Sequence, residues 1–584
     1  MSFDTERATL GRRPVLICEI DLDQCALTYG VSPCSATGAA GSECYNSRET
    51  CQDLPNFDGS NTLTLKFSNV LIPGENYLPC IDSTELAPTV INPEKGLGQR
   101  ASIRVGLSDF PHHDRGLDPY VGTRNYTPAD QGTFFGKLLA RNRHYVGRAL
   151  RIRTGYIAAA GFDIADFQTR NYVIDNIAGP GDGGRITITA KDILKLADDK
   201  RALAPAASTG SLVANITDTD TSLTVTSGTE GEYTAESDYL RIGDEIILAP
   251  AADRSSNVFS NLTRGVFGTT ASTHGADDSV QACKHLNSVN VVDLVEDLLE
   301  NYAGIDTSFI VDADWNAERD TWYSGTTINT LITEPTGVTK LINALAEQFY
   351  FRIWWNEIEQ EIHFKANRPP DAGATIPEFD DDGTLLASSV QVTRDEEKRL
   401  SRIIFYYDPY TPLEHDEAKD FKAIYVQILA DEESADEYDE VRQKIIYGRF
   451  VDSQSIAVQT AGRTLSRWAN APREAQVDID AKDLSIWTGD LVDINSRRLQ
   501  GVDGSNQVAR MEIMSVREMT QDGSGSTYRL KTLETSYKSR YGYIGPNTLN
   551  DYDSESEANK EAYAFIAPDT EIFTSDNGSA YRII

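Results

Sequence analysis

The chain has 584 residues, 40% of them hydrophobic, and carries 89 acidic against 54 basic side chains, a formal net charge of −35. At about 150 residues per domain this length divides into roughly three to five units, each able to bury a core. So acidic a surface repels nucleic acid unless basic residues cluster, and no stretch approaches the ~20 apolar residues of a membrane helix. Acids also interrupt "RRPVLICEIDLD" too early for a secretory leader, which points to synthesis in the cytosol, where thiols stay reduced.

In chain order, the N-terminal part reads as β. "RPVLICEIDLD" alternates, with Leu16, Cys18, Ile20 and Leu22 on one face, and "NTLTLKFSNVLI" alternates through Leu63, Leu65 and Phe67. "ASIRVGLSDF", "RALRIRTGYI" and "NYVIDNIAG" continue as strands. "TFFGKLLARNRHY" reads as a short helix with Phe134, Leu138 and Leu139 on one stripe, and "GRITITAKDILKLADD" turns from strand into helix. From Ser208 to Cys283 Thr, Ser, Asp and Gly dominate around short strands, the signature of a small inserted β module rather than a long solvated loop.

Two helices follow. Val291, Leu294, Val295, Leu298, Leu299 and Tyr302 keep helical spacing behind Asn290 as N-cap, and Val338, Leu341, Ile342, Leu345 and Phe349 do the same. "FYFRIWWNEIEQEIHFKAN" is a hairpin, and the Pro-, Asp- and Gly-rich residues 366–385 mark a boundary. Beyond it lies a second β-rich stretch, with a helix at "IAVQTAGRTLSRWAN" carrying Ala461, Leu465 and Trp468 on one face. The expected organisation is α+β, mainly β. It comprises an N-terminal β-rich unit at 1–205 and the inserted module at 206–285. A helix-plus-hairpin unit at 286–385, a second β unit at 386–545 and an acidic tail at 546–584 follow.

Between the first two strands sit Cys25, Cys34, Cys44 and Cys51, four of the chain's seven cysteines, in a loop rich in Gly, Ser, Ala and Asn. Their separations of nine, ten and seven positions contain no C-x-x-C pair of the zinc-ribbon kind and no short-spaced ferredoxin run. Spans of this length can nevertheless fold back on one point, helped by turns at Gly30, Pro33, Gly38 and Gly41. Four thiolates without His or carboxylate suit a soft metal, zinc or an iron–sulfur cluster. Two disulfides or unpaired buried thiols are the competing readings. Cys18 is a core residue of its strand, while Cys80 and Cys283 stand alone, Cys80 being the best substitute ligand.

Other chemistry-bearing motifs have bland explanations. "GPGDGGR" at 179–185 is glycine-rich but sits in a hairpin turn without a phosphate-binding helix, so a redox enzyme lacks its second cofactor site. Asp380, Asp381 and Asp382 could belong to a cell-wall-degrading site, but adjacent acids usually form a solvated loop. "PHHD" at 111–114 reads as an exposed loop before a metal site, since adjacent histidines point opposite ways on a strand. The Ser/Thr-rich module could serve receptor binding or adhesion.

"VLICEIDLDQCALTYGVSPC", "CYNSRETCQD" and "TFFGKLLARNRHYVGRALRIRTGYI" resemble the tail-tip hub proteins of long, flexible-tailed bacteriophages and gene transfer agents. "EEKRLSRIIFYYDP", "GRTLSRWANAPREAQVDIDAKDLSIWTGDLVDIN" and "YAFIAPDTEIFTSDNGSAYRI" resemble the baseplate hub part of the same assemblies, more loosely. The resemblance implies β-barrel-like hub domains in a homotrimer that joins the sixfold tail tube to a threefold tip and gates the DNA channel. It implies a virion structural protein made in the host cytoplasm, with no catalytic role. Its partners would be a distal tail protein, a tape measure protein and tail-tip fibre or spike proteins, with genomic DNA passing but not specifically bound. It further implies a [4Fe–4S] cluster on Cys25, Cys34, Cys44 and Cys51, in preference to zinc.

Overall fold

A computed structural model describes residues 14–37, 44–157, 161–198, 201–233, 238–370, 374–429, 441–501, 503–519, 527–535, 543–544, 556 and 563–564. Gly38, Gly41 and nearly all of the tail at 546–584 lie outside the described residues. The fold is α+β and mainly β, with several sheets and a few short helices.

The first sheet has eight strands: β1 (Pro14–Gln24), β2 (Asn61–Ser68), β3 (Leu78–Pro79), β4 (Ile81–Ala87), β5 (Ser102–Ser108), β6 (Ala149–Tyr156), β7 (Gln168–Ala178) and β8 (Arg185–Lys191). Their order is β3-β2-β1-β6-β7-β8-β5-β4. The two edge strands, β3 and β4, are consecutive in the chain with only Cys80 between them. A sheet whose edges are joined by one residue has to curl round on itself, which makes this unit barrel-like. The alternation read along β1 holds: Leu16, Cys18, Ile20 and Leu22 face one core with Leu65 and Phe67. Val15 and Ile17, on the other face, are buried as well, against Ile72, Tyr77 and Phe167. Helix α1 (Phe134–Arg141) inserts Phe134, Phe135 and Leu138 into the first core, Phe135 stacking on Phe67 at 5.5 Å between ring centroids. The "GPGDGGR" segment is the turn of the β7–β8 hairpin.

Residues 212–282 enclose a small core of their own around Leu240, Ile242, Ile247 and Phe259. Its short sheets surround one buried carboxylate, Glu245, which binds Arg264 and His274, each at 2.7 Å.

The next core is the largest. Strands β9 (Lys284–Asn290) and β10 (Thr327–Ile332) pair with each other, and β11 (Phe351–Asn356) and β12 (Glu361–Ala366) form the expected hairpin. Helices α2 (Val291–Asp297), α3 (Asp312–Trp322) and α4 (Val338–Phe349) pack among them. Asn290 caps α2 as read, its side chain accepting from Val292 N–H at 2.9 Å. Two further strands, β13 (Glu378–Asp380) and β14 (Gln391–Arg394), precede β15 (Arg402–Pro409), β16 (Phe421–Ile428), β17 (Gln443–Gly448) and helix α5 (Gln454–Trp468). Ile403, Phe405, Ile446, Ala461 and Leu465 from this stretch join the same core as α2 and α4.

The chain then completes a six-stranded sheet with β18 (Arg473–Asp480), β19 (Leu491–Gln500), β20 (Asn506–Glu518) and β21 (Thr527–Glu534), in the order β13-β19-β20-β21-β18-β14. It wraps Val477, Ile494, Met511 and Leu530. The stretch 386–545 therefore contributes to two cores, because β15–β17 and α5, which pack on one another, also share a core with α4. The Asp380–Asp382 acids make the turn that ties β13 to β19: Asp380 Oδ1 accepts from the N–H groups of Asp382 and Gly383, and Asp381 accepts from Ser496 and Arg497.

Candidate metal centre in the cysteine loop

The cysteine loop is the connection of the β1–β2 hairpin. Antiparallel pairing runs from Ile17 opposite Ser68 to Gln24 opposite Asn61, so Cys25 is the first residue to leave the sheet. Two backbone bonds fold the loop over that exit: Cys25 N–H to Asn46 O at 2.7 Å and Ala26 N–H to Asp58 O at 2.9 Å. Asn46 returns a side-chain bond to Cys25 O at 3.2 Å. It does so from a left-handed backbone (φ 55), a conformation that asparagine tolerates better than most residues. Gly30, at φ 71, turns the chain so that Cys34 N–H reaches Val31 O at 2.9 Å.

These turns bring Cys25, Cys34, Cys44 and Cys51 into one electrostatic neighbourhood. Burial raises the Cys44 thiol above its usual range, a backbone hydrogen bond from Asn46 opposes this, and the charges of Cys51, Cys25 and Cys34 raise it further. Burial likewise raises Cys51, opposed by the Asp53 N–H, with Cys25 and Cys34 adding to the rise. Two sulfurs already accept backbone bonds, Cys44 Sγ from Asn46 N–H and Cys51 Sγ from Asp53 N–H, each at 3.4 Å. All seven cysteines are free thiols.

The donor set is chemically apt for a soft metal, since mutual repulsion among four thiolates is relieved by a cation and N–H···S bonds are the usual support of sulfur-bound clusters. Tetrahedral Zn–S bonds of ~2.3 Å set the sulfurs ~3.8 Å apart. Among the described residues the one set of three or more ligand atoms within 4.8 Å of one another is Glu359, Glu361 and His363, far along the chain. No three of the four cysteine sulfurs therefore lie within 4.8 Å of one another.

The loop has little apolar filling and is braced from outside by the segment before α1. Arg124 donates from Nη2 to Cys44 O at 2.7 Å and forks onto Asp118 at 2.7 and 2.8 Å. Both ionic side chains are only 1% exposed. Tyr45 lies between two guanidinium groups, Arg124 at 3.8 Å and Arg141 at 4.0 Å from its ring centroid, a double cation–π contact. Tyr120 OH receives the Tyr29 N–H at 2.8 Å, and Glu49 binds His144 at 2.7 Å.

Two expectations are corrected here. "PHHD" is a loop but not an exposed one at its end: Asp114, at φ 61, is 2% exposed and binds Lys137 and Arg141 of α1 at 2.8 and 2.9 Å. It holds the helix that presents Arg141 to Tyr45. Cys80 is no substitute ligand. It lies in the barrel core, where it shares a cluster with Cys18, and burial followed by Asp82 and Asp109 pushes its thiol up to about 12. Cys283 is buried in a third place, against Ile246 and Leu331. The contacts of Arg124 with Cys44 and Tyr45 had no local signal in the sequence, because these partners lie some eighty positions away.

No protein-family model matches the sequence, and no curated protein matches it. Solved structures similar to it include a tail protein from Neisseria meningitidis MC58, with a TM-score of 0.38 and 9% identity over 78% of this chain and 96% of that one. A prophage tail protein from Listeria monocytogenes EGD-e gives 0.36 and 8% over 82% and 93%, respectively. A chain of the native gene transfer agent virion gives 0.29 and 11% over 64% and 80%.

Proposed function

We propose that the protein is a structural hub of a phage-type tail tip, three copies of which form a ring that joins the tail tube to the tip and gates the DNA channel. The observation that carries this reading is the cysteine loop: four thiols gathered at the mouth of a β hairpin, in segments that resemble tail-tip hubs, and braced by Arg124 and Tyr45. Cys25, Cys34, Cys44 and Cys51 would hold a [4Fe–4S] cluster. When bound, such a group supplies four metal–thiolate bonds that cross-link a loop lacking a core of its own, as structural metals do in small domains. Asn46 and Asp53 hold Cys44 and Cys51 through N–H···S bonds, and Arg124 fixes the Cys44 carbonyl.

The barrel-like first unit and the formal charge of −35 also support a scaffold around a passage for DNA. An acidic wall does not retain a polyanion moving past it. Neighbours would be a distal tail protein, a tape measure protein and tip fibres or spikes. Among the described residues no helix is long and apolar enough to cross a membrane. Immunogold labelling of purified particles should place the chain at one end of the tail, and native mass spectrometry of the recombinant chain should give three copies. Label spread along the tube, or a chain that stays monomeric, would count against the hub.

A further inference from the structure

The β11–β12 hairpin carries a second group of metal-ligating side chains, distant in sequence from the cysteine loop. Glu361 and His363 stand two residues apart on β12 and so share one face of the strand, while Glu359 reaches the same point from the turn before it. One ligand atom from each of the three lies within 4.8 Å of the other two. A cation bonded to nitrogen and oxygen at ~2.1 Å holds its donors about 3–3.5 Å apart, so a small closing movement is enough to complete the set.

The donors are held by their neighbours. His363 lies opposite Trp354 in the hairpin, the two rings stacked 5.1 Å apart and 14° from parallel. Asn356, which is buried, accepts from Ile358 N–H at 3.0 Å and so shapes the turn, and its Nδ2 donates to Glu359 Oε2 at 2.7 Å. The same carboxylate oxygen is bonded to His363 Nε2 at 2.8 Å. Outer contacts of this kind, a hydrogen bond on a carboxylate and a fixed ring plane, are what orient the ligands of protein metal sites. Glu359 and His363 also line an open cleft of about 730 Å³, which gives an ion its way in.

Charge at this point is unbalanced. Burial raises the Glu361 carboxyl above its usual range, Glu359 raises it further, His363 opposes this and Asp314 of α3 adds to it. Across the cleft Asp490 is raised by burial, lowered by the Trp487 N–H and raised again by Glu359. Lys365, next on the same strand face, and His363 lower Asp490 in turn. One imidazole thus faces two carboxylates that repel each other, an arrangement that a divalent cation relieves.

We propose that Glu359, Glu361 and His363 bind a divalent first-row cation that takes mixed nitrogen and oxygen donors, with water completing its coordination. Binding would release the proton shared by His363 Nε2 and Glu359 Oε2, because both atoms then give a lone pair to the metal. The ion would pin the hairpin turn at the mouth of a cleft that Trp487 and Asp490, from the six-stranded-sheet unit, also line. This site is separate from the cysteine loop, and neither depends on the other.

The test is titration of the full chain with Mn²⁺, followed by electron paramagnetic resonance of the free ion. Manganese favours oxygen and nitrogen over thiolate, so the cysteine loop does not compete for it. Saturable binding at one site per chain is expected, at least about tenfold weaker in Glu361→Gln and in His363→Ala. Pulsed measurements on bound Mn²⁺ should show coupling to an imidazole nitrogen that disappears in His363→Ala. Cys44→Ser, and Asp382→Asn at an exposed acid paired with Arg497, should bind as the parent does. Glu361→Gln keeps the size of the side chain and guards against a folding defect in the histidine variant. Absence of saturable binding would overturn the proposal. So would parental affinity in both Glu361→Gln and His363→Ala, or bound Mn²⁺ without nitrogen coupling.

Discussion

Arg124 and Cys44 are joined by a 2.7 Å hydrogen bond from a guanidinium nitrogen to a main-chain carbonyl, and that guanidinium is itself clamped by the buried carboxylate of Asp118. The cysteine loop is therefore shaped by a charge pair outside it. Arg124→Gln would leave Asp118 buried and unpaired, a change that costs about 3–5 kcal/mol in comparable pairs. Urea denaturation should show a loss of that order. Asp118→Asn together with Arg124→Gln should recover part of it, because no uncompensated charge is then left. A loss of a few tenths of a kcal/mol in the single variant would mean that the brace is ornamental.

Thiol chemistry separates the loop from the rest of the cysteines. Cys80 and Cys283 are each pushed up to about 12, chiefly by burial, and Cys18 is raised more strongly for the same reason. Only the thiolate reacts, so these three should resist alkylation at neutral pH in the folded chain. In metal-stripped protein, Cys25, Cys34 and Cys51, which are partly exposed, should react first. Peptide mapping after brief iodoacetamide treatment checks this order. Early labelling of Cys80 would contradict the barrel placement.

The inserted module depends on Glu245, fully buried and bonded to Arg264, His274 and the N–H groups of Gly265 and Ser272. Burial raises its pKa, but the hydrogen bonds from Arg264 and His274 outweigh that, and the folded value lies below the usual one. A depressed folded pKa contributes stability that is present above the unfolded value of ~4.3 and is lost as pH falls through the folded one. Glu245→Gln should destabilise residues 212–282 by about 3–5 kcal/mol at neutral pH. The gap to the parent should close on acidification. Hydrogen exchange confined to that module reads the effect, and a gap that stays constant with pH would refute the assignment.

Much of the fold was legible where one residue's neighbours decide its conformation. The alternation in β1 and β2, the Asn290 cap of α2 and the stripe of α4 are local signals, and each appears as read. Helix α3 was not read, because it is acidic and buries only Trp315, so it shows no apolar stripe. The joining of β15–β17 and α5 to the core of α2 and α4 is set by packing between distant segments, which no local pattern reports. The burial of Asp114 was missed for the same reason: its partners Lys137 and Arg141 lie on a helix more than twenty positions away.

The most direct test of the central claim is a metal and sulfide assay on the chain purified without air. Four irons and four acid-labile sulfides per chain are predicted, falling together when Cys44 is changed to serine and unaffected by Cys80→Ser. Zinc in place of iron, or a metal content that follows Cys80 rather than Cys44, would contradict it.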